Sequence, residues 1–175
     1  MLRYKSVVRS KTESAARCLH TKVRMINRAT VIQAIRTSLR ETAEVAKAQG
    51  RAAQDEATND ETKQESKYDT RAIEAAYLAQ AQGGRLAETE RALGIFEQLS
   101  SDGSRDRVDG PCYCELLTEE GVRHYFIGPV AGGLKVEVAG ERVLVITPAS
   151  PLGKSLLGCE PDDELASGAL LVRVE

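Results

Sequence analysis

The sequence predicts an α+β fold in which an antiparallel pair of long helices precedes a small antiparallel β-sheet that carries one short helix. Apolar residues over 29–99 recur at the three- and four-residue spacing of a helix. Beyond Gly110 the spacing changes to two, which is typical of strands. Between the two helical stretches the polar segment 55–65 predicts the turn that reverses the chain.

The first helical stretch carries a narrow stripe of apolar and small residues. Such a stripe indicates a coiled-coil seam, and its change from Ile and Leu to Ala predicts that the distal end buries less area. Its members are Ile32, Ile35, Leu39, Thr42, Ala46, Gln49 and Ala53.

The second helical stretch starts at one of two capping boxes, Thr58-x-x-Glu61 or Thr62-x-x-Glu65. Gly83-Gly84 interrupts the stretch and is expected to mark a kink or a close helix crossing. Two seams joined by a short turn predict an antiparallel hairpin. The second seam consists of Ala72, Ala76, Ala79, Gly83, Leu86 and Leu93.

The C-terminal region predicts five short strands and one helix at 152–157. Gly132-Gly133 and Ala139-Gly140-Glu141 are hairpin-type breaks. The expected strands are 112–117, 122–130, 134–138, 142–147 and 169–174, and the expected regions are a basic, weakly ordered tail over 1–24, the hairpin over 25–100, a linker over 101–110 and the β-rich domain over 111–175.

The basic tail has several Lys and Arg residues but a single acid, Glu13. Its composition fits a transit peptide, a nucleic-acid-binding arm, or untranslated sequence ahead of a start at Met25. The sequence leaves these three readings open.

Composition excludes several classes of function. The formal net charge of −2 over 175 residues argues against a general nucleic-acid binder, and no apolar run is long enough to span a membrane. Cys112 and Cys114 fall on one face of a strand, but no second close pair, and neither histidine, has metal-ligand spacing. We expect reduced thiols in a cytoplasmic, monomeric protein.

The most distinctive stretch is Val143 to Gly158, V-L-V-I-T-P-A-S-P-L-G-K-S-L-L-G. Pro148 has no N–H and ends the strand, and Ser150-Pro151 predicts a turn into a helix. This stretch resembles the C-terminal domain of the GreA/GreB transcription elongation factors of bacterial RNA polymerase. The Gly-Asp pair usual in that family is replaced here by Glu160-Pro161-Asp162.

The hairpin tip carries the second part of the resemblance. Lys67-Tyr68-Asp69-Thr70-Arg71 is similar to a signature of short Gre-like proteins. When Tyr68 is matched to the last Tyr of the standard Gre tip, Glu61 takes the place of the tip Asp. Gln64 then takes the place of the essential Glu, with Glu65 one residue later.

The resemblance implies an FK506-binding-protein-like C-terminal fold and a hairpin that enters the polymerase secondary channel to stimulate cleavage of backtracked RNA. It implies no enzymatic site of the chain's own and no cofactor bound in isolation. Nascent RNA and DNA would be met only within the elongation complex. The Mg²⁺ of the polymerase active site would be shared with Asp60, Glu61 and Glu65.

The resemblance also implies supporting roles for other residues. Tyr68, Asp69 and Arg71 would support the tip, while acids at a helix start also simply complement its dipole. The family's C-terminal domain contacts the polymerase rim, although the leucines of this segment also serve as ordinary core. The rim residues implied are Ser150, Pro151, Gly153, Lys154 and Gly158.

Three other functions compete with transcript cleavage. The hairpin would occupy the channel without cleavage if the shifted acids bind no metal. A dimerising coiled coil is disfavoured by the alanine-rich distal seam. A peptidyl-prolyl isomerase needs an aromatic-lined pocket, for which Tyr113, Tyr125 and Phe126 are too few.

Overall fold

The computed structural model describes residues 26–58, 70–101 and 105–175, with no side-chain description for 53–58, 70–76, 78 and 79. The element order is α+β, as predicted: a pair of long helices precedes a small sheet. The elements are α1 (Arg28–Thr58), α2 (Thr70–Gln98), β1 (Cys112–Thr118), β2 (Gly121–Ile127), β3 (Lys135–Val138), β4 (Glu141–Ile146), α3 (Pro151–Leu156) and β5 (Leu170–Val174).

Helix α1 begins at a reciprocal cap. The Asn27 side-chain oxygen accepts from the Thr30 backbone N–H at 2.8 Å, and the Thr30 hydroxyl oxygen accepts from the Asn27 N–H at 3.0 Å. The two bonds satisfy backbone donors at the helix start that have no partner within the helix.

The two long helices run antiparallel. The Arg40–Glu97 ion pair (2.7 Å) and the Lys47–Glu90 ion pair (3.1 Å) join residues that advance along α1 and recede along α2. No helix in the described ranges has the length and hydropathy needed to cross a lipid bilayer.

The predicted seams are only partly correct. Thr42 and Gln49 are exposed, whereas Ala43, outside the predicted stripe, is buried. Among the described side chains of α2, the buried ones are Ala92 and Phe96. The base of the hairpin packs against the sheet as well as within the pair, so its apolar face follows the 3.6-residue period instead of a strict 3.5-residue seam.

Gly83 and Gly84 lie within the continuous helix α2. Within the described residues, no atom outside the neighbouring backbone of the same helix lies within 4 Å of a Cβ built on either glycine. The described structure therefore gives no support to the close helix crossing that the sequence suggested at this pair.

The five strands form one sheet in the order β3-β4-β2-β1-β5. The prediction of an antiparallel sheet is wrong at its centre, because β2 and β4 pair in parallel and the sheet is mixed. After β2 the chain crosses through Gly128 to Leu134 and places β3 at the edge. The β3–β4 hairpin then inserts β4 beside β2 in the same direction as β2.

Each face of the sheet has its own core. One face packs against the base of the two helices, through residues such as Ile32, Ile35 and Phe96. The other packs against α3 and the segment before β5, through residues such as Leu156 and Leu165. The hairpin base and the sheet thus share one continuous apolar cluster.

Candidate functional site

The acidic tip predicted from the sequence lies between the two long helices. Asp60, Glu61, Glu65, Tyr68 and Asp69 all lie outside the described residues, between the end of α1 at Thr58 and the start of α2 at Thr70. Arg71 is the second residue of α2, and its side chain is also outside the description. The roles assigned to these six residues remain predictions.

The outer parts of the helices are solvated as far as their side chains are described. Among the residues whose side chains are described, none of 44–52 on α1 and none of 80–91 on α2 is buried. Val45 is 57% exposed and Tyr77 is 69% exposed, although both are large apolar or aromatic residues. The distal arms therefore add little to the core.

The Ser150 corner connects β4 to α3. Ser150 is the N-cap of α3: its hydroxyl accepts from the Gly153 N–H at 3.0 Å and donates to the Thr147 carbonyl at 2.7 Å. Pro151 follows at the first helical position, where a missing N–H costs no hydrogen bond. Gly153 is buried, and a Cβ there would lie 2.0 Å from the Thr147 carbonyl oxygen.

The remaining residues of the predicted rim contact are arranged around α3. Lys154 is exposed, Leu156 is buried and Leu157 is 44% exposed. Gly158 adopts φ +86°, which suits glycine at the end of a helix. The Gly158 N–H donates to the Val108 carbonyl at 2.8 Å, so the segment before β1 is held against this corner.

Arg36 of α1 caps the C-terminal end of α2. Its guanidinium donates to the carbonyl oxygens of Phe96 (3.0 Å), Leu99 (3.0 Å) and Glu97 (3.3 Å). Carbonyls at a helix C-terminus have no partner within the helix and carry partial negative charge, so a cation that bonds several of them closes the hairpin at its base.

A buried polar network lies on the sheet beneath the helices. The Tyr113 hydroxyl contacts Glu115 Oε1 at 2.9 Å and His124 Nδ1 at 2.7 Å, and Arg173 donates to the same Glu115 oxygen at 3.2 Å. Burial, followed by the nearby Glu115 carboxylate, raises the pKa of Tyr113 well above its ordinary value. Within the described residues, every buried side-chain nitrogen and oxygen has a hydrogen-bond partner.

The network continues to the start of α1. Arg173 also donates to Glu175 Oε1 at 2.5 Å and to the Ile26 carbonyl at 3.2 Å. Glu175 Oε2 accepts from the Arg28 backbone N–H at 3.0 Å. We call the side chains of Arg28, Glu115, Arg173 and Glu175 the joint, because they connect the hairpin to the sheet.

Cys112 and Cys114 lie on one face of β1, as the sequence predicts, with their sulfurs 3.7 Å apart and both residues buried. The contact with Cys112, followed by burial, raises the pKa of the Cys114 thiol. In the described ranges no group of three or more His, Cys, Asp or Glu side chains is arranged to hold a metal ion.

The joint and Arg36 were missed by the sequence analysis. Charged residues inside apolar strands were the available signal, since Glu115 stands between Cys114 and Leu116 and Arg173 stands between Val172 and Val174. A charge on a strand that is covered on both faces needs a partner. The sequence does not show which residue supplies it.

Comparison with known proteins gives similarity only to solved structures, since no protein-family model and no curated protein matches the chain. GreA factor homolog 1 (Gfh1) of Thermus thermophilus is 16% identical, with 80% of this chain and 94% of that chain covered at a TM-score of 0.31. Gfh1 of Thermus aquaticus is 17% identical, with 86% and 96% covered at 0.31. A structure of the transcription factor Gfh1 is 22% identical, with 81% and 91% covered at 0.30. Similarities this weak assign neither a family nor a function.

Proposed function

We propose that this protein is a bacterial transcription elongation factor that binds RNA polymerase and inserts its helical hairpin into the secondary channel. There it stimulates cleavage of the transcript in backtracked complexes. It acts as a monomeric cytoplasmic accessory factor without an active site of its own. The proposal includes a fold similar to that of FK506-binding proteins for the β-rich part.

The observation that carries this proposal is the shape and solvation of the hairpin. α1 contains 31 residues and α2 contains 29, but burial is confined to their basal halves among the described side chains. A hairpin that served only to cover the sheet would need no solvated arms of such length. Arms that leave the core and end in an acid-rich segment suit a probe that enters a narrow channel.

The chemistry of the tip supports a role in phosphoryl transfer at the active site of the partner. Mg²⁺ prefers hard oxygen ligands and retains several waters, so one or two extra carboxylates are enough to hold it. Two such ions stabilise the attacking and leaving oxygens of an in-line displacement. Asp60, Glu61 and Glu65 are the proposed ligands, with Tyr68, Asp69 and Arg71 supporting them.

The Ser150 corner is the proposed contact with the polymerase rim. The backbone geometry of Ser150, Pro151, Gly153 and Gly158 fixes the shape of the corner, and Lys154 offers an exposed cation beside the exposed Leu157. A rigid corner with one charge and one apolar side chain at its surface suits a protein contact.

A second candidate is a channel-occupying regulator that does not cleave. Gln64 favours it, because this amide stands where the resembling family has its essential Glu, and an amide is a weaker Mg²⁺ ligand than a carboxylate. Nascent RNA and DNA would be contacted only within the elongation complex in either case.

A transcript-cleavage assay tests both candidates. Backtracked elongation complexes at millimolar Mg²⁺ would receive the wild-type protein or the Glu61→Ala/Glu65→Ala variant. We expect shortening of the RNA 3′ end by the wild type only. If neither protein cleaves but both compete with a known cleavage factor, the second candidate holds.

A matched control removes acids away from the tip. Glu88→Ala/Glu119→Ala changes two exposed acids, one on α2 and one between β1 and β2. This control should retain full activity. Absence of both cleavage and competition by the wild type would overturn the polymerase proposal.

A further inference from the structure

The hairpin meets the sheet through two kinds of contact. The apolar cluster gives adhesion but little direction, since hydrophobic burial depends on area and not on angle. Hydrogen bonds are directional, and the joint supplies two of them between the sheet and the residues at and just before the start of α1. The joint is therefore the part of this contact that is suited to specify an angle.

Strand β5 and the residue that follows it hold both sides of the start of α1. Arg173 donates to the Ile26 carbonyl, just before the helix, at 3.2 Å. Glu175 accepts from the N–H of Arg28, the first helical residue, at 3.0 Å. The main chain of Glu175 is fixed independently, because it exchanges hydrogen bonds of 2.7 and 2.9 Å with Tyr113.

The Arg28 side chain extends this hold to the other helix. Its guanidinium donates to the Pro111 carbonyl at 3.2 Å and to the Ser100 carbonyl beyond the end of α2. On the sheet, Glu115 is 3% exposed and holds Arg173 in turn. The start of α1, the end of α2 and two neighbouring strands are thus tied by one chain of charged groups.

The length of the hairpin determines how far its end moves when the angle at the joint changes. At ~1.5 Å per residue, the 31 residues of α1 extend for about 46 Å. A tilt of about 10° at the base would displace the far end by about 8 Å, which exceeds the size of a metal coordination sphere. A small change of angle at the joint therefore displaces the far end of the hairpin by a large distance.

We infer that Arg173 and Glu175 are positioning residues that set the angle of the hairpin on the sheet, and so the place that its tip reaches in a partner. That they serve tip placement in the polymerase rests on the proposed function. The geometric part concerns the free protein alone.

The geometric part is tested by pulsed electron–electron resonance on the full chain. Nitroxides on unnatural amino acids at positions 80 and 137, both exposed, report the distance from α2 to β3 and leave the four native cysteines unchanged. We expect one narrow distance distribution for the wild type. Glu175→Gln and Arg173→Lys should broaden it, with the lysine variant closer to wild type because it retains the charge.

Removing the guanidinium gives the strongest test. Arg173→Met alone leaves the buried Glu115 carboxylate without its cation and endangers the fold. Arg173→Met/Glu115→Gln removes both charges and keeps an acceptor for the Tyr113 hydroxyl. This double variant should shift the mean distance by about 5 Å or more, or broaden it by a similar amount, while circular dichroism stays native.

Arg123→Met is the matched control, since Arg123 lies on β2 of the same sheet and pairs with Glu120 at an exposed position away from the joint. Its distribution should equal that of the wild type. A folded double variant with the wild-type distribution would overturn the inference.

The polymerase arm separates this inference from the proposed function. If the angle changes in the free protein, the concentration of the double variant needed for half-maximal effect on elongation complexes should rise at least ~10-fold, a factor that corresponds to 1.4 kcal/mol. A changed angle with no activity in the wild type counts against the proposed function and leaves the joint supported. A changed angle with unchanged potency overturns the tip-placement part.

Discussion

Gly153 packs against the carbonyl oxygen of Thr147, and a Cβ on the glycine would lie 2.0 Å from that oxygen. The atom in the way belongs to the backbone of the corner and cannot rotate aside. The close approach explains why the turn between β4 and α3 needs glycine at its third helical position.

Gly153→Ala should therefore destabilise the protein by about 1–3 kcal/mol or more, through overpacking against backbone. The measurement is the free energy of unfolding from urea denaturation. Lys154→Ala is the neighbouring control: the lysine is exposed, and its loss should change the free energy of unfolding by less than about 0.5 kcal/mol. Equal stability of the two variants would contradict the packing argument.

Ser150→Ala should lower stability by about 0.5–2 kcal/mol, because the α3 N-cap loses its acceptor for the Gly153 N–H. Ser150→Thr retains a hydroxyl and should recover most of the loss. Denaturation midpoints at constant m-value give the comparison. Ser155→Ala, an exposed hydroxyl later in the same helix, should stay close to wild type.

Because Gly128 has no side chain, the ring of Phe96 can pack closely against the sheet at this position. A Cβ there would lie 3.1 Å from Phe96 Cζ and 3.2 Å from both Val145 Cγ1 and the Val130 carbonyl oxygen. Gly128→Ala should cost about 1–3 kcal/mol. Combining it with Phe96→Leu should cost less than the sum of the two single changes, and a double-mutant cycle measures this coupling. Strict additivity would show that the ring and Gly128 do not interact.

Two arginines of α1 contrast in their expected effects. Arg36→Met removes several bonds to the α2 C-terminus and should cost about 1.5–3 kcal/mol, the range for hydrogen bonds to a charged group. Arg40→Met removes an ion pair that is about half exposed on each side, and after solvent screening should cost no more than about 1 kcal/mol. Thermal unfolding at low and high salt separates them, because only the second effect should fade with salt.

Alkaline pH should weaken the fold through Tyr113. Burial raises the pKa of Tyr113 in the folded state, so the unfolded chain releases this proton first. The stability contribution is complete below the unfolded pKa of about 10 and declines above it, by about 1.4 kcal/mol per pH unit. Tyr113→Phe should flatten the profile of unfolding free energy above pH 10. Tyr77→Phe, at an exposed site, should not.

The sequence predicted the elements well where a local rule decided them. Pro148 ended β4 near its predicted end, and Ser150-Pro151 began α3, because proline chemistry and N-caps act within a few residues. The helix-to-strand change after Gly110 likewise follows from side-chain period alone.

Features that depend on distant residues were beyond the sequence. Nothing local to β2 or β4 specifies that they pair in parallel, since this depends on the path of the chain through Gly128 to Leu134. Nor does the local sequence specify that Ala43 is buried in place of Thr42. For the candidate site, the Ser150 corner followed from its motif, whereas the joint needs partners such as Glu115 and Arg173 that are far apart in the chain.

The shared core between the hairpin base and the sheet has a consequence for modularity. The helices pack against an apolar face of the sheet that includes Val136, Val138, Val143 and Val145. Removal of the hairpin would expose these valines to water. We therefore expect the hairpin to need these valines when it is moved onto another sheet. We also expect the sheet to be poorly soluble when it is expressed without the hairpin. Exchange of tips between such proteins is therefore expected to succeed only by grafts within the solvated arms.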